Sequence, residues 1–131
     1  MKWVSKNKKK KYSLKRLFNS FGYAINGIFT VYKNEQNILI HTIAAIFVIV
    51  LGIYIKVSAL EMILLILVIG LVISFEIINT AIKYTINMTM PNIHPMAKMA
   101  KDASSGAVLI MSITALLICI IIFLPKILSI L

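Results

Sequence analysis

Acidic residues are scarce in this sequence, where four carboxylates stand against 14 lysines and arginines and give a formal net charge of +10. Such an excess of positive charge predicts polyanionic partners, whether nucleic acid, anionic lipid or nucleotide phosphates. The single cysteine, Cys119, excludes a disulfide framework within the chain. A glycine-rich phosphate loop of the G-x-x-x-x-G-K-S/T type is also missing, which excludes a P-loop mechanism.

Long apolar runs make up much of the remaining sequence, since 60% of the residues are hydrophobic. A soluble core of this size could not bury so many apolar side chains. Three runs are long enough to cross a hydrocarbon core of roughly 30 Å as helices. They cover residues 38–55, 62–86 and 96–124, and we expect Pro125 to end the last one. The sequence therefore predicts a single-domain, all-α integral membrane protein with three transmembrane helices.

The residues before the first run divide into two parts. Residues 1–13 contain a dense lysine run, which is typical of a disordered tail that binds anionic lipid headgroups. Residues 14–34 carry apolar side chains at spacings of three and four, and this pattern predicts an amphipathic helix at the membrane surface. We expect no nucleic-acid partner, because a tail tethered to a membrane accounts for the lysine run. A signal peptide is not expected either, since the first apolar run begins too far along the chain.

Basic residues are distributed unequally between the two ends of the predicted spans. Of the 14, 12 lie before the first span or around the loop after the second, and only Lys56 and Lys126 lie at the opposite ends. Basic residues accumulate on the cytoplasmic side of membrane proteins. The sequence therefore predicts a cell-membrane protein with a cytoplasmic N-terminus and an external C-terminus.

A polar stripe occurs near the end of the second span. At about 100° per residue, one helix face holds Glu76, Asn79, Thr80, Lys83 and Asn87. Ionisable groups at membrane depth are costly and usually mark a functional site. A structural interpretation stays open, in which Glu76 is only a hydrogen-bonding group and Lys83 lies at the interface.

Other polar groups are predicted at the same level of the membrane. Glu35 precedes the first span, and the start of the third span places Lys98, Lys101, Asp102 and Ser105 on one face. Cations that neutralise phosphates, carboxylates that hold Mg²⁺ and a base for a hydroxyl proton are what phosphoryl transfer requires. The pattern therefore favours phosphoryl transfer at a membrane surface.

The motifs of this region resemble those of the small prokaryotic diacylglycerol kinase family, and within it the undecaprenol kinase-like branch. The resemblance covers nearly all of residues 16–125 and is carried by R-L-F-N-S-F-G-Y-A-I-N-G-I (16–28), E-Q-N-I-L-I-H (35–41), F-E-I-I-N-T-A-I-K (75–83) and A-K-M-A-K-D-A-S-S-G-A-V-L (97–109). It implies a homotrimer that transfers the γ-phosphoryl group of ATP to a lipid alcohol, undecaprenol or diacylglycerol. It also implies Mg²⁺ as cofactor and a site shared between neighbouring chains.

The resemblance assigns roles to individual residues of this chain. Glu76 matches the catalytic base that faces the lipid hydroxyl, and Asn79 matches the amide beside it. Glu35 matches a carboxylate that holds Mg²⁺ and ATP, and Ser105 a position near the lipid. The implied nucleotide-binding set is Arg16, Tyr23, Glu35, His94, Lys101 and Asp102, and we add Lys83 because its ammonium can contact a phosphate.

Three positions depart from the family pattern. Lys83 replaces a second metal-binding glutamate, Asn87 replaces an aspartate, and Leu39 stands where an arginine is usual. An ammonium has no lone pair for a metal, but it can contact a phosphate directly. Two other functions therefore stay open: a catalytically impaired relative that binds lipid phosphate or nucleotide, and a small pore-forming or scaffold membrane protein such as a phage holin. A pore former has no need of the matching E-x-x-N and A-K-D blocks, which favours the kinase.

Overall fold

The computed structural model describes residues 12–131, so most of the predicted lysine-rich tail lies outside it. The described residues form four helices without a strand, namely α1 (Leu14–Asn34), α2 (Gln36–Ile55), α3 (Ala59–Thr89) and α4 (Pro95–Ile130). Helices α2, α3 and α4 are long and apolar enough to cross a membrane. The predicted all-helical class with three membrane helices is thus confirmed.

Helix α1 meets α2 at a corner formed by one non-helical residue, Glu35. Ser13 caps the N-terminus of α1 with its Oγ, which accepts the Arg16 backbone N–H at 3.1 Å, and Glu35, which follows the last residue of α1, has extended backbone angles. The Tyr32 hydroxyl lies 2.7 Å from the Thr42 hydroxyl and ties the end of α1 to α2. The corner therefore holds the Glu35 side chain at the junction of the two helices.

The turn between α2 and α3 is short and tightly built. Lys56 adopts a left-handed conformation with φ 62° and ends α2. Ser58 and Glu61 then form a capping box, in which Ser58 Oγ accepts the Glu61 N–H at 3.2 Å and Glu61 Oε2 accepts the Ser58 N–H at 2.8 Å. A Cβ atom on Gly52 would lie 3.1 Å from the Met62 methyl carbon, so the two helices approach closely here because residue 52 is glycine.

The apolar core lies at the same end of the bundle. Leu65 of α3 packs with Ile122 and Phe123 of α4, and all three are buried. Partly buried residues of α2, α4 and the turn surround them: Val48, Leu51, Ile55, Val57, Ile118 and Cys119. This core fixes α3 against its two neighbours and so sets the positions of the polar residues further along α3.

Two ion pairs lie toward the two ends of α3. Glu61 Oε2 lies 3.2 Å from Lys126 Nζ of α4, and Lys83 Nζ lies 3.0 Å from Glu35 Oε2. At a rise of about 1.5 Å per residue, Glu61 and Lys83 are roughly 33 Å apart along the axis. That separation is close to the thickness of a hydrocarbon core. Glu76, seven residues before Lys83, therefore lies roughly 10 Å inside this interval.

The helices extend beyond the predicted bounds of 38–55, 62–86 and 96–124, and α4 differs most. We expected Pro125 to end it, but α4 continues through Pro125 to Ile130, so that expectation is wrong. A proline removes one N–H from the helix ladder, while the residues beyond it still satisfy their backbone groups by staying helical. In an apolar environment without water, the backbone hydrogen bonds kept by a continuous helix outweigh the one that the proline removes.

Candidate active site

Helix α3 contains a buried carboxylate. Glu76 is 1% exposed, and neither of its carboxylate oxygens has a hydrogen-bond partner among residues 12–131. The buried Thr80 hydroxyl donates to the Glu76 backbone carbonyl at 3.0 Å and leaves the carboxylate unused. A buried charge without a partner is strongly unfavourable. The carboxylate of Glu76 is therefore free to accept a partner from outside these residues, such as a ligand hydroxyl.

Asn79 lies three residues after Glu76 and is also buried. The hydroxyl of Ser104 in α4 lies 2.6 Å from Asn79 Oδ1, to which it donates, and 3.1 Å from the Lys101 carbonyl oxygen. Because the amide oxygen is the acceptor, the contact with Ser104 uses neither N–H donor of Asn79. Ser104 is missing from the predicted site. In the sequence it stands within the motif of residues 97–109, one turn after Lys101, with nothing that links it to Asn79.

Glu35 and Lys83 form an ion pair where α1, α2 and α3 meet. The Nζ–Oε2 distance is 3.0 Å, and the two side chains are partly buried, with Lys83 28% and Glu35 20% exposed. The residues are 48 positions apart in the sequence. The fold thus brings the predicted metal-binding carboxylate into contact with the lysine that replaces the second glutamate of the family pattern.

This ion pair does not fit a magnesium ion held by Glu35. Mg²⁺ requires oxygen ligands at about 2.0–2.1 Å in near-octahedral geometry. Here a lysine ammonium contacts one carboxylate oxygen, and ammonium and metal ion repel each other. Residues 12–131 contain no group of three or more His, Cys, Asp or Glu side chains that could hold a metal ion.

A second charged region surrounds the loop between α3 and α4. A cavity of about 240 Å³ is lined there by residues 90–94 together with Ala97, Lys98, Lys101 and Asp102. Lys101 Nζ donates to Asn87 Oδ1, whereas Lys98 Nζ lies 2.6 Å from Asp102 Oδ2. The adjacent residues Lys101 and Asp102 therefore have different partners, one on α3 and one on α4. Two ammonium groups at one cavity suit a phosphate-bearing ligand.

His94 has a structural role at the same loop. Its Nδ1 accepts the backbone N–H of Met96 at 3.1 Å and so caps the N-terminus of α4. Nε2 is the ring nitrogen that remains for a ligand in the cavity. Any contact with a nucleotide must therefore use Nε2.

The remaining predicted residues do not gather at these groups within one chain. Arg16 and Tyr23 lie on α1, and at about 1.5 Å per residue they are roughly 28 and 18 Å along the helix from Glu35. Tyr23 is 73% exposed. Ser105 follows Ser104 on α4 but is exposed. Within one chain, Arg16 and Tyr23 therefore lie well away from the Lys83–Glu35 ion pair along α1.

The sequence of this chain matches a known protein family. The family described as prokaryotic diacylglycerol kinase matches residues 22–123. The chain is similar to the undecaprenol kinase of Bacillus subtilis strain 168, with 39% identity over 113 residues, which are 86% of this chain and 92% of that protein. It is also similar to the diacylglycerol kinase of Helicobacter pylori strain J99, with 38% identity over 73% of this chain and 75% of that protein. The diacylglycerol kinase of Escherichia coli K12 is 30% identical over 78% of this chain and 84% of its own length.

Proposed function

The chain belongs to the prokaryotic diacylglycerol kinase family, a family of membrane lipid kinases, and we propose that it transfers the γ-phosphoryl group of ATP to the hydroxyl of undecaprenol. The observation that carries the proposal is the buried carboxylate of Glu76, which has no partner in residues 12–131 and lies beside Asn79. Undecaprenol is the first candidate for the lipid substrate because a relative named undecaprenol kinase is 39% identical to this chain. Diacylglycerol is the second candidate, because other relatives are named diacylglycerol kinase. The family predicted from the sequence motifs is confirmed.

Glu76 acts as the general base in the proposed reaction. The lipid hydroxyl oxygen attacks the γ-phosphorus, and the bond from that phosphorus to the β,γ-bridging oxygen breaks, so that ADP leaves. The hydroxyl proton passes to a carboxylate oxygen of Glu76. The burial of Glu76 supports this role, since a site closed to water favours transfer to lipid over hydrolysis of ATP.

Asn79 assists beside this base. Its two amide N–H donors, directed by the contact with Ser104, can bind oxygen atoms that gain negative charge during transfer. Ser105 is exposed next to Ser104, and we assign it to the lipid side of the site. The lipid alcohol would thus lie along the face of α3 and α4 that holds Glu76.

ATP is the co-substrate, and its binding residues are proposed as Arg16, Tyr23, Glu35, Lys83, His94, Lys101 and Asp102. The charged cavity at the α3–α4 loop supports the assignment of His94, Lys101 and Asp102, which line it. A homotrimer in which neighbouring chains complete each site is proposed from the family resemblance, and the separation of Arg16 and Tyr23 from Glu35 along α1 agrees with it. Mg²⁺ is proposed to arrive with the phosphates of ATP, since the residues around Glu35 do not fit it.

The distribution of basic residues supports a proposed orientation in the membrane. We place the N-terminus, the α3–α4 loop and the site on the cytoplasmic side, and the C-terminus outside. The reason is that 12 of the 14 basic residues lie at the end of the protein that holds the N-terminus and this loop. We also propose that α1 lies at the membrane surface and that the lysine-rich segment before it binds anionic headgroups. ATP is cytoplasmic, and this orientation gives the site access to it.

A second function is favoured by one contact. If the Lys83–Glu35 ion pair prevents productive alignment of ATP, the chain would bind nucleotide or lipid phosphate without transferring a phosphoryl group. Under this second function, the protein keeps the family fold but has lost the kinase activity. No contact in the described residues favours the pore-forming or scaffold alternative.

The purified protein incubated with γ-labelled ATP and either lipid alcohol tests the proposal. We expect the label on undecaprenol, with diacylglycerol as the weaker acceptor. Bound ATP with no labelled lipid of either kind would support the second function. The absence of both ATP binding and labelled lipid would contradict both functions.

A further inference from the structure

The Lys83–Glu35 ion pair leaves part of the lysine ammonium unused. Lys83 Nζ donates to Glu35 Oε2 at 3.0 Å, and it has no other hydrogen-bond acceptor among residues 12–131. An ammonium has three N–H donors, so two remain. The Lys83 side chain is 28% exposed and so is partly open to a ligand.

Lys83 also lies on the same face of α3 as the proposed base. It is seven residues after Glu76, which places it two turns and roughly 10 Å further along the helix. A triphosphate bound at Lys83 can therefore extend its terminal phosphate toward Glu76. The position suits a group that binds the phosphates of a nucleotide.

A metal ion bound to the chain at this corner would have to displace the lysine. Its ammonium cannot be a ligand, and both are cations. One turn further along α3, Asn87 supplies a neutral amide whose oxygen already accepts a hydrogen bond from Lys101. Neither Lys83 nor Asn87 therefore gives Glu35 a second carboxylate for a divalent ion.

We propose that Lys83, held in place by Glu35, binds the phosphate oxygens of the nucleotide directly and replaces a divalent cation bound by the chain. This inference rests on the proposed kinase function, because it assigns how that site neutralises the triphosphate. Glu35 is then a positioning residue that orients the ammonium. It follows that ATP binds in the absence of divalent ions, and that the nucleotide-free protein has no divalent-ion site at Glu35.

Two binding measurements on the full-length protein in detergent micelles test this. The first is equilibrium binding of ATP in EDTA to the native chain, Lys83→Gln and Lys83→Arg. We expect Lys83→Gln to weaken binding by about 10- to 100-fold, the effect of losing a charged hydrogen bond, and Lys83→Arg to stay near native. The matched control is Lys33→Gln, which removes one exposed positive charge from the last turn of α1.

The second measurement is Mn²⁺ binding without nucleotide, followed by electron paramagnetic resonance. We expect little bound Mn²⁺ on the native chain, a new site in Lys83→Glu, and its loss when Glu35→Gln is added. Size-exclusion chromatography of each variant checks that assembly is unchanged. Because this measurement uses a gain of binding, it does not depend on the stability of Lys83→Gln.

Two outcomes would overturn the inference: native ATP binding in EDTA that Lys83→Gln leaves unchanged, or Mn²⁺ bound by the native chain as tightly as by Lys83→Glu. A third arm measures binding of undecaprenyl phosphate without nucleotide. If Lys83→Gln weakens only that binding, the phosphate belongs to the lipid and the nucleotide assignment is wrong. Failure to label any lipid, with the binding results as expected, counts against the kinase function alone.

Discussion

Replacing Ser104 by alanine should lower turnover without removing the fold. The Ser104 hydroxyl donates to Asn79 Oδ1 at 2.6 Å, and Asn79 is only 5% exposed. Without that donor, the buried amide oxygen loses its partner, which typically costs about 1–3 kcal/mol. The amide is then free to rotate and no longer directs its N–H groups at the reacting oxygens.

If about 1–2 kcal/mol of that cost appears in the transition state, kcat falls by about 5- to 30-fold. The assay is steady-state phosphorylation of undecaprenol with ATP varied, so that kcat and KM are obtained separately. We expect KM for ATP to stay near native, because Asn79 is proposed to bind oxygen atoms that gain negative charge only during transfer. Ser104→Thr keeps a hydroxyl and should restore most of the turnover.

Ser112→Ala is the matched control for Ser104→Ala. Ser112 lies on the same helix and is partly buried, but its hydroxyl donates only to the Val108 carbonyl of its own helix at 2.8 Å. Equal losses of kcat in the two variants would show that any serine-to-alanine change in α4 has this effect. Native kcat in Ser104→Ala would refute the positioning of Asn79.

Two further predictions concern stability and orientation. Glu61→Ala should lower Tm more than Lys126→Ala in thermal unfolding in detergent. Both variants lose a partly exposed ion pair worth about 0.2–1 kcal/mol, and Glu61→Ala also loses a capping box worth about 1 kcal/mol. Equal losses of Tm would show that the capping box contributes nothing. In a Cys119→Ala background, an impermeant thiol reagent on intact cells should modify Leu131→Cys and spare Tyr12→Cys, both highly exposed positions, and the reverse pattern would invert the proposed topology.

Much of the fold could be predicted because long apolar runs have few alternatives to membrane helices. The all-helical class, the three membrane helices and the family follow from those runs and from the motifs. The end of α4 could not be predicted from Pro125 alone. The rule that proline breaks helices comes from proteins in water, where an interrupted backbone can bond to solvent.

The site was less accessible to sequence reasoning than the fold. The periodicity of α3 places Glu76, Asn79 and Lys83 on one face, but it cannot say what each side chain contacts. The Lys83–Glu35 ion pair depends on the corner between α1 and α2, and the Ser104–Asn79 contact depends on how α4 packs on α3. Both are tertiary contacts between residues far apart in the chain, and neither has a local signal.

The most direct test of the lipid kinase with Glu76 as base is single-turnover transfer from γ-labelled ATP to undecaprenol by the native chain and by Glu76→Gln. Glutamine keeps the size and one oxygen acceptor but cannot take the hydroxyl proton. We expect transfer to slow by about 10²- to 10⁴-fold while ATP binding and assembly stay native. Transfer at the native rate in Glu76→Gln would contradict the assignment of the base.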